Sequence, residues 1–353
     1  MAKNRFFGLT NRLMMLVAAL LLAVTYVSML INPAKFWLMS LAGLLFVPLS
    51  ALNLFLLIWA FARRSKAFVI PLLALLPAVF FLGRYVHFTG EEQVDTPPEN
   101  SLKIMSWNVG RFAAGSISME ACADSVFAYI ETENPDIVCL QEFRIKDGRK
   151  IRQYLRQKMK GYSSEYYIFT GPHSSFGNVT LSRLPVRNRG VLKFDSSTNL
   201  AIFTDYQHEG KVFRVYNCHF ESYNISFSGI VRAITDKNNE VFTETGVKMK
   251  RSITRRPKQV DQVFTDIENC PVETFVCGDF NDNPMSYTYH RLMRDHNDSF
   301  VEAGDGFGAT YARLWPLLRI DYVLAPDSST VYTHRTPHVK LSDHYPVITE
   351  VSL

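Results

Sequence analysis

A series of short motifs carries side chains suited to a phosphate ester and a hard cation. They are IMSWNVGRF with Asn108, DIVCLQEF with Glu142, VYNCHFES with His219 and VCGDFNDNP with Asp279 and Asn281; RIDYVL with Asp321 and LSDHYPV with Asp343 and His344 complete the set. The carboxylates of Glu142 and Asp343 and the amide oxygen of Asn108 are the hard donors that Mg2+ prefers, usually shared with waters and substrate phosphate. Such a cation offsets the negative charge that gathers on a phosphodiester in its transition state. The attacking water needs a base, for which Asp279 is suited. Asn281 stands two residues on, where an extended chain projects it to the same side. Histidine beside a carboxylate can hold a proton or stabilise phosphate oxygens. His344 has Asp321 and Asp343 available to fix its tautomer, and His219 offers a second proton donor or phosphate ligand.

Each of these residues follows or opens a short apolar run: Leu102–Met105, Ile137–Leu140, Phe213–Tyr216, Thr274–Cys277 and Tyr322–Leu324. Such runs read as buried strands that deliver polar groups at their ends. Val179–Leu181 is another, in GNVTLSRLPV, where Asn178 and Ser182 read first as structural, with Asn178 bracing the site by hydrogen bonding as the second reading, and where Arg183 reads first as solvated and secondly as a phosphate contact. Helical stretches lie between them. Met119–Glu133 stops before Asn134-Pro135, and Lys258–Glu268 places Val260, Val263, Phe264 and Ile267 on one face. Strands alternating with helices predict an α/β layered fold. The polar segment from Glu221 to Thr245 is expected to form a loop beside the site.

From about Ser101 to Leu353 the chain resembles the endonuclease/exonuclease/phosphatase superfamily, with GDFN, the RIDY run and SDH in family order. The resemblance implies a four-layered α/β sandwich with two central, mostly antiparallel sheets flanked by helices. It implies Asn108 and Glu142 as metal-site residues with Asp343 near the metal, and Mg2+ as cofactor, with Mn2+ as a substitute. It implies Asp279 and Asn281 as the water-activating pair, Asp321 as the supporting acid and His344 as the catalytic histidine. His219 matches the histidine of the DNase I and sphingomyelinase branches. Abasic-site endonucleases carry a tyrosine there, which argues against a repair enzyme.

Three uncharged runs precede this domain: Leu13 to Ile31, Phe36 to Phe61 and Ala67 to Gly83, of nineteen, twenty-six and seventeen residues. About 20 apolar residues cross a bilayer core, so residues 1–83 are expected to form three transmembrane helices (about 13–31, 36–61 and 67–83). Residues 84–100 then form a polar linker and 101–353 the catalytic domain. A cleaved leader is disfavoured, because no small-residue cleavage site follows the first run. Lys3, Arg5 and Arg12 at the start, and Arg63, Arg64 and Lys66 in the second connection, mark the cytoplasmic side. The expectation is a multi-pass protein of the cell membrane with an extracytoplasmic catalytic domain.

Charge and cysteine content narrow the function. Of 38 Lys/Arg and 33 Asp/Glu, residues 1–100 hold eight and four, which leaves the remainder at 30 and 29. A nearly neutral domain lacks the basic footprint of most nucleic-acid binders. One basic run, Lys248, Lys250, Arg251, Arg255, Arg256 and Lys258, reads first as a solvated face and secondly as a contact for nucleic acid or anionic lipid. The five cysteines form no CxxC pair, and Cys139, Cys218 and Cys277 sit in apolar runs as core residues. The leading expectation is a membrane-anchored, Mg2+-dependent phosphodiesterase acting on a lipid headgroup or a nucleic acid. The alternatives are an extracytoplasmic nuclease and a non-catalytic membrane sensor or scaffold. No obligate protein partner is indicated, and no lipid-inserting hairpin is conspicuous in the soluble part.

Overall fold

The computed structural model describes residues 2–88, 97–171, 175–223 and 239–353. Fourteen strands occur among them: β1 (Val86–His87), β2 (Leu102–Asn108), β3 (Ile137–Ile145), β4 (Ser163–Thr170), β5 (Ser175–Ser182), β6 (Val186–Lys193) and β7 (Leu200–His208). The others are β8 (Lys211–His219), β9 (Glu273–Asp279), β10 (His296–Asp298), β11 (Gly306–Phe307), β12 (Asp321–Pro326), β13 (Val331–Arg335) and β14 (Val347–Val351). They form two six-stranded sheets, ordered β13-β14-β2-β3-β5-β4 and β10-β12-β9-β8-β7-β6, and a two-stranded ribbon β1-β11. Only β2–β3 and β8–β9 pair in parallel; every other ladder is antiparallel.

Strand alternation explains how the sheets pack. Leu102 and Ile104 of β2, Ile137 and Cys139 of β3, Phe213 and Val215 of β8, Phe275 and Cys277 of β9 and Val323 and Ala325 of β12 share one core cluster. They come from both sheets, so this core lies between them. The alternate residues of the first sheet pack on the helix Met119–Glu133 through Val126, Phe127 and Ile130. Those of the second sheet pack on the helix Asn239–Glu268 through Val260, Val263 and Phe264. The result is an α/β fold of two mixed sheets flanked by helices. Cys139, Cys218 and Cys277 are fully buried in it, and all five cysteines are free.

The helix carrying Val260 is longer than its sequence pattern suggests. It starts at Asn239 instead of Lys258 and runs through Pro257. Proline inside a helix costs about 3 kcal/mol or more, so the pattern reads as a helix start. Burial of Ile253 and Arg256 on one side and Val260 on the other holds the helix together across it. Most of the expected active-site loop, residues 224–238, lies outside the described residues. The basic run belongs to this helix.

The N-terminal region departs from three regular spans. One helix, Gly8–Ser28, is long and apolar enough to cross a membrane. The second run is a pair, Leu38–Leu44 and Phe46–Ala62, bent by 56°. Pro48 accounts for the break, since its ring clashes with the carbonyl four residues back, that of Leu44. The third run is the shorter apolar stretch Lys66–Leu82, interrupted between Leu75 and Val79 around Pro77. Nor does the expected linker start as free chain. Val86 and His87 pair with Phe307 and Gly306, and the Arg84 carbonyl accepts a bond from Arg319 Nη1 at 3.1 Å. Residues 89–96 lie outside the described residues.

These helices are joined to the sandwich by a packed junction. Met285 is fully buried in a cluster with Leu22, Met29, Phe46, Ala78 and Tyr85. Ser28 Oγ donates to the Met285 carbonyl at 3.1 Å, and Arg84 Nη1 donates to the Pro284 carbonyl at 3.2 Å. A Cβ on Gly43 would stand 2.6 Å from the Met285 oxygen, so this approach requires glycine.

Candidate active site

Register brings the motif residues to one end of the sandwich. In the second sheet His219, Asp279 and Asp321 are cross-strand neighbours on β8, β9 and β12. In the first, Asn108 sits opposite Gln141, and β14 begins just after His344. Alternation then aims them inward. Asp279 shares the face of Phe275 and Cys277, Asp321 that of Val323, and Asn108 that of Ile104. The inter-sheet core therefore ends in a polar cap.

Glu142 would break this alternation, and a β-bulge corrects it. The β3–β5 register shifts between Leu140 and Phe143, and Glu142 takes a positive φ of 51°. A bulge of this kind re-aims a side chain next to a site. Asn281 is also left-handed, at φ 52°. Gly110, at φ 51°, lets the chain after Asn108 pass the Ser342–His344 loop, since a Cβ there would meet Asp343 Oδ1 at 2.9 Å. Ser342 Oγ donates to the Asn108 carbonyl at 2.7 Å and Trp107 Nε1 to the His344 carbonyl at 2.9 Å, which tie the two segments together.

Asp279 is the buried centre. Its Oδ2 accepts from Asn108 Nδ2 at 2.9 Å and Asn281 Nδ2 at 3.1 Å, and its Oδ1 accepts from the Asn281 backbone at 2.8 Å. His219 Nε2 stands 3.7 Å from Asp279 Oδ2 and 3.8 Å from Glu142 Oε1. His344 Nε2 stands 4.0 Å from Asp279 Oδ2, while its Nδ1 lies 2.9 Å from Asp321 Oδ2. Burial, followed by the Asp321 charge, raises the Asp279 carboxyl to about 6, against the opposing pull of His344 and His219. Burial alone would lower His344, but Asp321 and then Asp279 outweigh it and raise the imidazole to about 10. A base near neutrality thus faces a histidinium.

Asp343 does not share the orientation of His344. Its carboxylate pairs with Arg313 Nη2 at 3.2 Å, and Asp321 alone of the two acids holds the imidazole. Glu142 Oε2 pairs with Arg111 Nε at 3.0 Å. Asp279, Asp321 and His344 each place a potential ligand atom within 4.8 Å of the others. That triad suits proton storage better than a metal cage, because a histidinium has no lone pair to donate. On the other side stand the oxygens that could face a hard cation. Glu142 Oε1 and Asp279 Oδ2 converge on one His219 nitrogen, Asn108 Oδ1 accepts from the Gly110 backbone at 3.0 Å, and the Arg111 charge stands against Glu142.

Beneath the cap, Gln141, Asn217, Thr310, Asp282 and Tyr223 are absent from the sequence-based expectation, and they join residues that it named. Asn217 Oδ1 accepts from Gln141 Nε2 at 2.9 Å, and its Nδ2 donates to the Val179 carbonyl at 3.0 Å and to Thr180 Oγ1 at 3.1 Å. Asn178 Nδ2 donates to the Asn217 carbonyl at 3.0 Å. These buried amides bolt the two sheets together under Glu142 and His219. Thr310 Oγ1 accepts from the backbones of Ile320 and Asp321 at 3.1 Å each, and its carbonyl accepts from Tyr345 at 2.8 Å. That joins the strand of Asp321 to the loop of His344. Behind Asn281, Asp282 Oδ2 binds Arg256 Nη1 at 2.8 Å and its Oδ1 accepts from Tyr223 at 2.6 Å. Tyr223 in turn meets Ser40 Oγ of the N-terminal region at 3.0 Å. Arg256 is therefore a buried ion-pair partner and not part of a solvated face. Ser182 and Arg183 lie at the far end of the sandwich, where Ser182 pairs with Ile137 and Arg183 stacks on Tyr162. The doubled acid of GDFND was the one local signal for Asp282; Asn178 was marked by its motif, and the amides of Gln141 and Asn217 carried no signal.

Comparison with known proteins adds the following. A family model described as Endonuclease/Exonuclease/phosphatase family matches residues 105–344. Another, described as a domain of unknown function (DUF8431), matches residues 4–85. A DNA-(apurinic or apyrimidinic site) endonuclease of Dictyostelium discoideum is 35% identical over 79 residues, 22% of this chain and 19% of that protein. The match thus spans about a fifth of that relative. An endonuclease/exonuclease/phosphatase from Bacteroides vulgatus superposes with a TM-score of 0.54 at 18% identity, over 72% of this chain and 100% of that one. One from Beutenbergia cavernae gives 0.53 at 20% identity, over 72% of each chain. D. rerio TDP2 complexed with single strand DNA product gives 0.53 at 16% identity, over 72% of this chain and 100% of that one. At these identities the structural likeness concerns the fold.

Proposed function

This chain belongs to the Endonuclease/Exonuclease/phosphatase family, a family of phosphate-ester hydrolases, and from that premise we propose that it is a membrane-anchored, Mg2+-dependent phosphodiesterase. One observation carries the reaction class: a buried Asp279 raised to about 6 faces His344, itself held protonated by Asp321. Asp279 takes the proton from the attacking water, and the amide of Asn281 positions that water. His344 donates hydrogen bonds to the phosphoryl oxygens as negative charge gathers on them. His219, within reach of both Glu142 and Asp279, protonates the leaving oxygen or binds phosphate. Glu142 and Asn108, with Asp343 close by, would hold the Mg2+, or Mn2+ in its place. That ion supplies charge neutralisation to the scissile phosphate.

The anchoring is supported by the outward faces of the N-terminal helices. Leu13, Leu16, Leu20, Phe55, Ile58 and Leu73 are exposed there, as lipid-facing side chains would be. The helices run back and forth. Ser28, Gly43 and Arg84 meet the catalytic domain, while Met15, Ala60 and Ala67 cluster together in a separate core. With Arg63, Arg64 and Lys66 on the cytoplasmic side, the catalytic domain is extracytoplasmic, and residues 1–83 form one multi-pass anchor despite its broken helices.

The test uses the full chain in detergent or nanodiscs with Mg2+ and a panel of plasmid DNA, RNA, sphingomyelin and inositol phosphates. Hydrolysis of at least one, abolished by a chelator and by Asp279→Asn, is expected. Equal inactivity of wild type and variant on every ester would leave the scaffold reading instead. A nuclease is the second reading, favoured by the fold shared with the DNA-bound D. rerio structure.

A further inference from the structure

An apolar loop borders the site on the side of Asp343. The Ala312 backbone donates to the Asp343 carbonyl at 2.9 Å, and Tyr311 bridges to His344. The chain then turns outward, leaving Leu314, Trp315 and Leu317 exposed by 44%, 44% and 53%. Such a cluster is unusual beside a polar catalytic cap and marks a contact surface. Its neighbours point to the occupant. Trp315 packs on Phe307 with ring centroids 5.8 Å apart, and Phe307 pairs with Val86. Val86 lies four residues beyond Leu82, the end of the last apolar helix, a separation of at most about 14 Å of chain. Phe80 and Phe88, flanking that junction, are exposed by 84% and 81%. The loop thus continues the apolar surface of the anchor. Cations accompany it. A shallow groove beside the loop is lined by Arg313, Lys340, Ser342 and Asp343, and across the junction Lys250 Nζ lies 6.0 Å from the Trp37 ring. Aromatic and basic side chains together are what a bilayer's headgroup layer selects.

Resting on the phosphodiesterase reading, we propose that the loop Tyr311–Leu317 inserts into the headgroup layer of the membrane that holds the N-terminal helices, and that the adjoining Arg313–Lys340 groove receives the phosphate of a bilayer lipid. The anchor holds the domain near the surface, and the loop turns the catalytic cap toward it. The substrate then reaches Asp279 from the bilayer plane with its phosphate ester between the Arg111 and Arg313 sides of the site.

The test has two arms. In the first, Trp37→Phe and Trp59→Phe leave Trp315 and the buried Trp107 as emitters. The full chain is placed in vesicles of phosphatidylcholine and phosphatidylglycerol brominated near the headgroup. Quenching is expected, and it should vanish when Trp315→Phe is added. Quenching that survives Trp315→Phe unchanged, or no quenching at all, overturns the insertion of the loop whether or not the protein is an active enzyme. In the second arm, Leu314→Ser, Trp315→Ser and Leu317→Ser are combined, with Leu317→Ser alone as a milder variant. Turnover of a vesicle phospholipid is compared with that of bis(p-nitrophenyl) phosphate. The ratio of lipid to soluble turnover should fall about tenfold in the triple variant, because interfacial binding scales with buried apolar area. An unchanged ratio, or hydrolysis of plasmid DNA or RNA with none of lipid, overturns the lipid substrate. Inactivity on every ester together with Trp315 quenching would instead strike the phosphodiesterase reading and leave the loop's membrane contact standing.

Discussion

Replacing Asp282 by alanine strands the Arg256 guanidinium. Both residues are almost wholly buried, and Arg256 Nη1 lies 2.8 Å from Asp282 Oδ2. Arginine cannot shed its proton to escape such a site, so the loss of its partner should cost about 3–5 kcal/mol. Asp282→Asn keeps one acceptor oxygen and loses the charge, and the cost should fall to about 1.5–3 kcal/mol, the range for a bond to a charged group. The assay is urea unfolding of the full chain in detergent, followed by near-ultraviolet circular dichroism. With a slope of about 2–3 kcal/mol per molar urea, the alanine midpoint should drop by about 1–2 M. Combining Arg256→Met with Asp282→Leu removes both charges and should recover most of the loss, giving a coupling energy of at least about 2 kcal/mol. Asp282 is also the residue after Asn281, so the alanine variant should lose turnover as Asn281 shifts. A drop of under about 1 kcal/mol for Asp282→Ala, or strictly additive effects in the pair, would refute the ion pair's role in holding the catalytic loop.

Other outcomes follow from the same geometry. Asp279→Asn and His344→Ala should each lower turnover by about 10²–10⁴-fold, and together by far less than the product; near-normal turnover in either would exclude the mechanism. Glu142→Ala should raise the Mg2+ concentration needed for half-maximal rate, and an unchanged titration would remove Glu142 from the metal site. Burial, reinforced by Arg319, lowers His334 to about 3, where it meets Ser299 Oγ at 2.9 Å. The unfolded histidine binds its proton first, near pH 6.5, so stability is complete above that pH and declines below it by up to ~1.4 kcal/mol per unit, levelling near pH 3; His334→Asn should flatten that slope in unfolding measured from pH 7 to 4. A reporter that works only outside the inner membrane should be active when fused after Leu353 and silent at Ser65, and the reverse pattern would place the catalytic domain inside.

The sequence alone determined the residues whose chemistry is local. Asn108, His219, Asp279 and Asp321 stand at strand ends, and period-two alternation places each on the face of its buried neighbours. The helix Met119–Glu133 was legible from its stop at Asn134-Pro135, and the structure adds the Ser118 cap at its start and the left-handed Asn134 at its end. Apolar runs marked the N-terminal helices, though only the folded chain showed where Pro48 and Pro77 interrupt them. Contacts between distant segments were decided by tertiary structure. Arg256 looked like one cation in a basic run until the fold set it against Asp282, and Asp343 turned to Arg313 while its neighbour His344 turned to Asp321. Glu142 needed a bulge that no pattern announces, and the amides of Gln141, Asn178 and Asn217 meet only when the two sheets close. Periodicity records which side of an element is buried; it carries no information about which distant polar group will be waiting there, because that depends on register and sheet packing set by the whole chain.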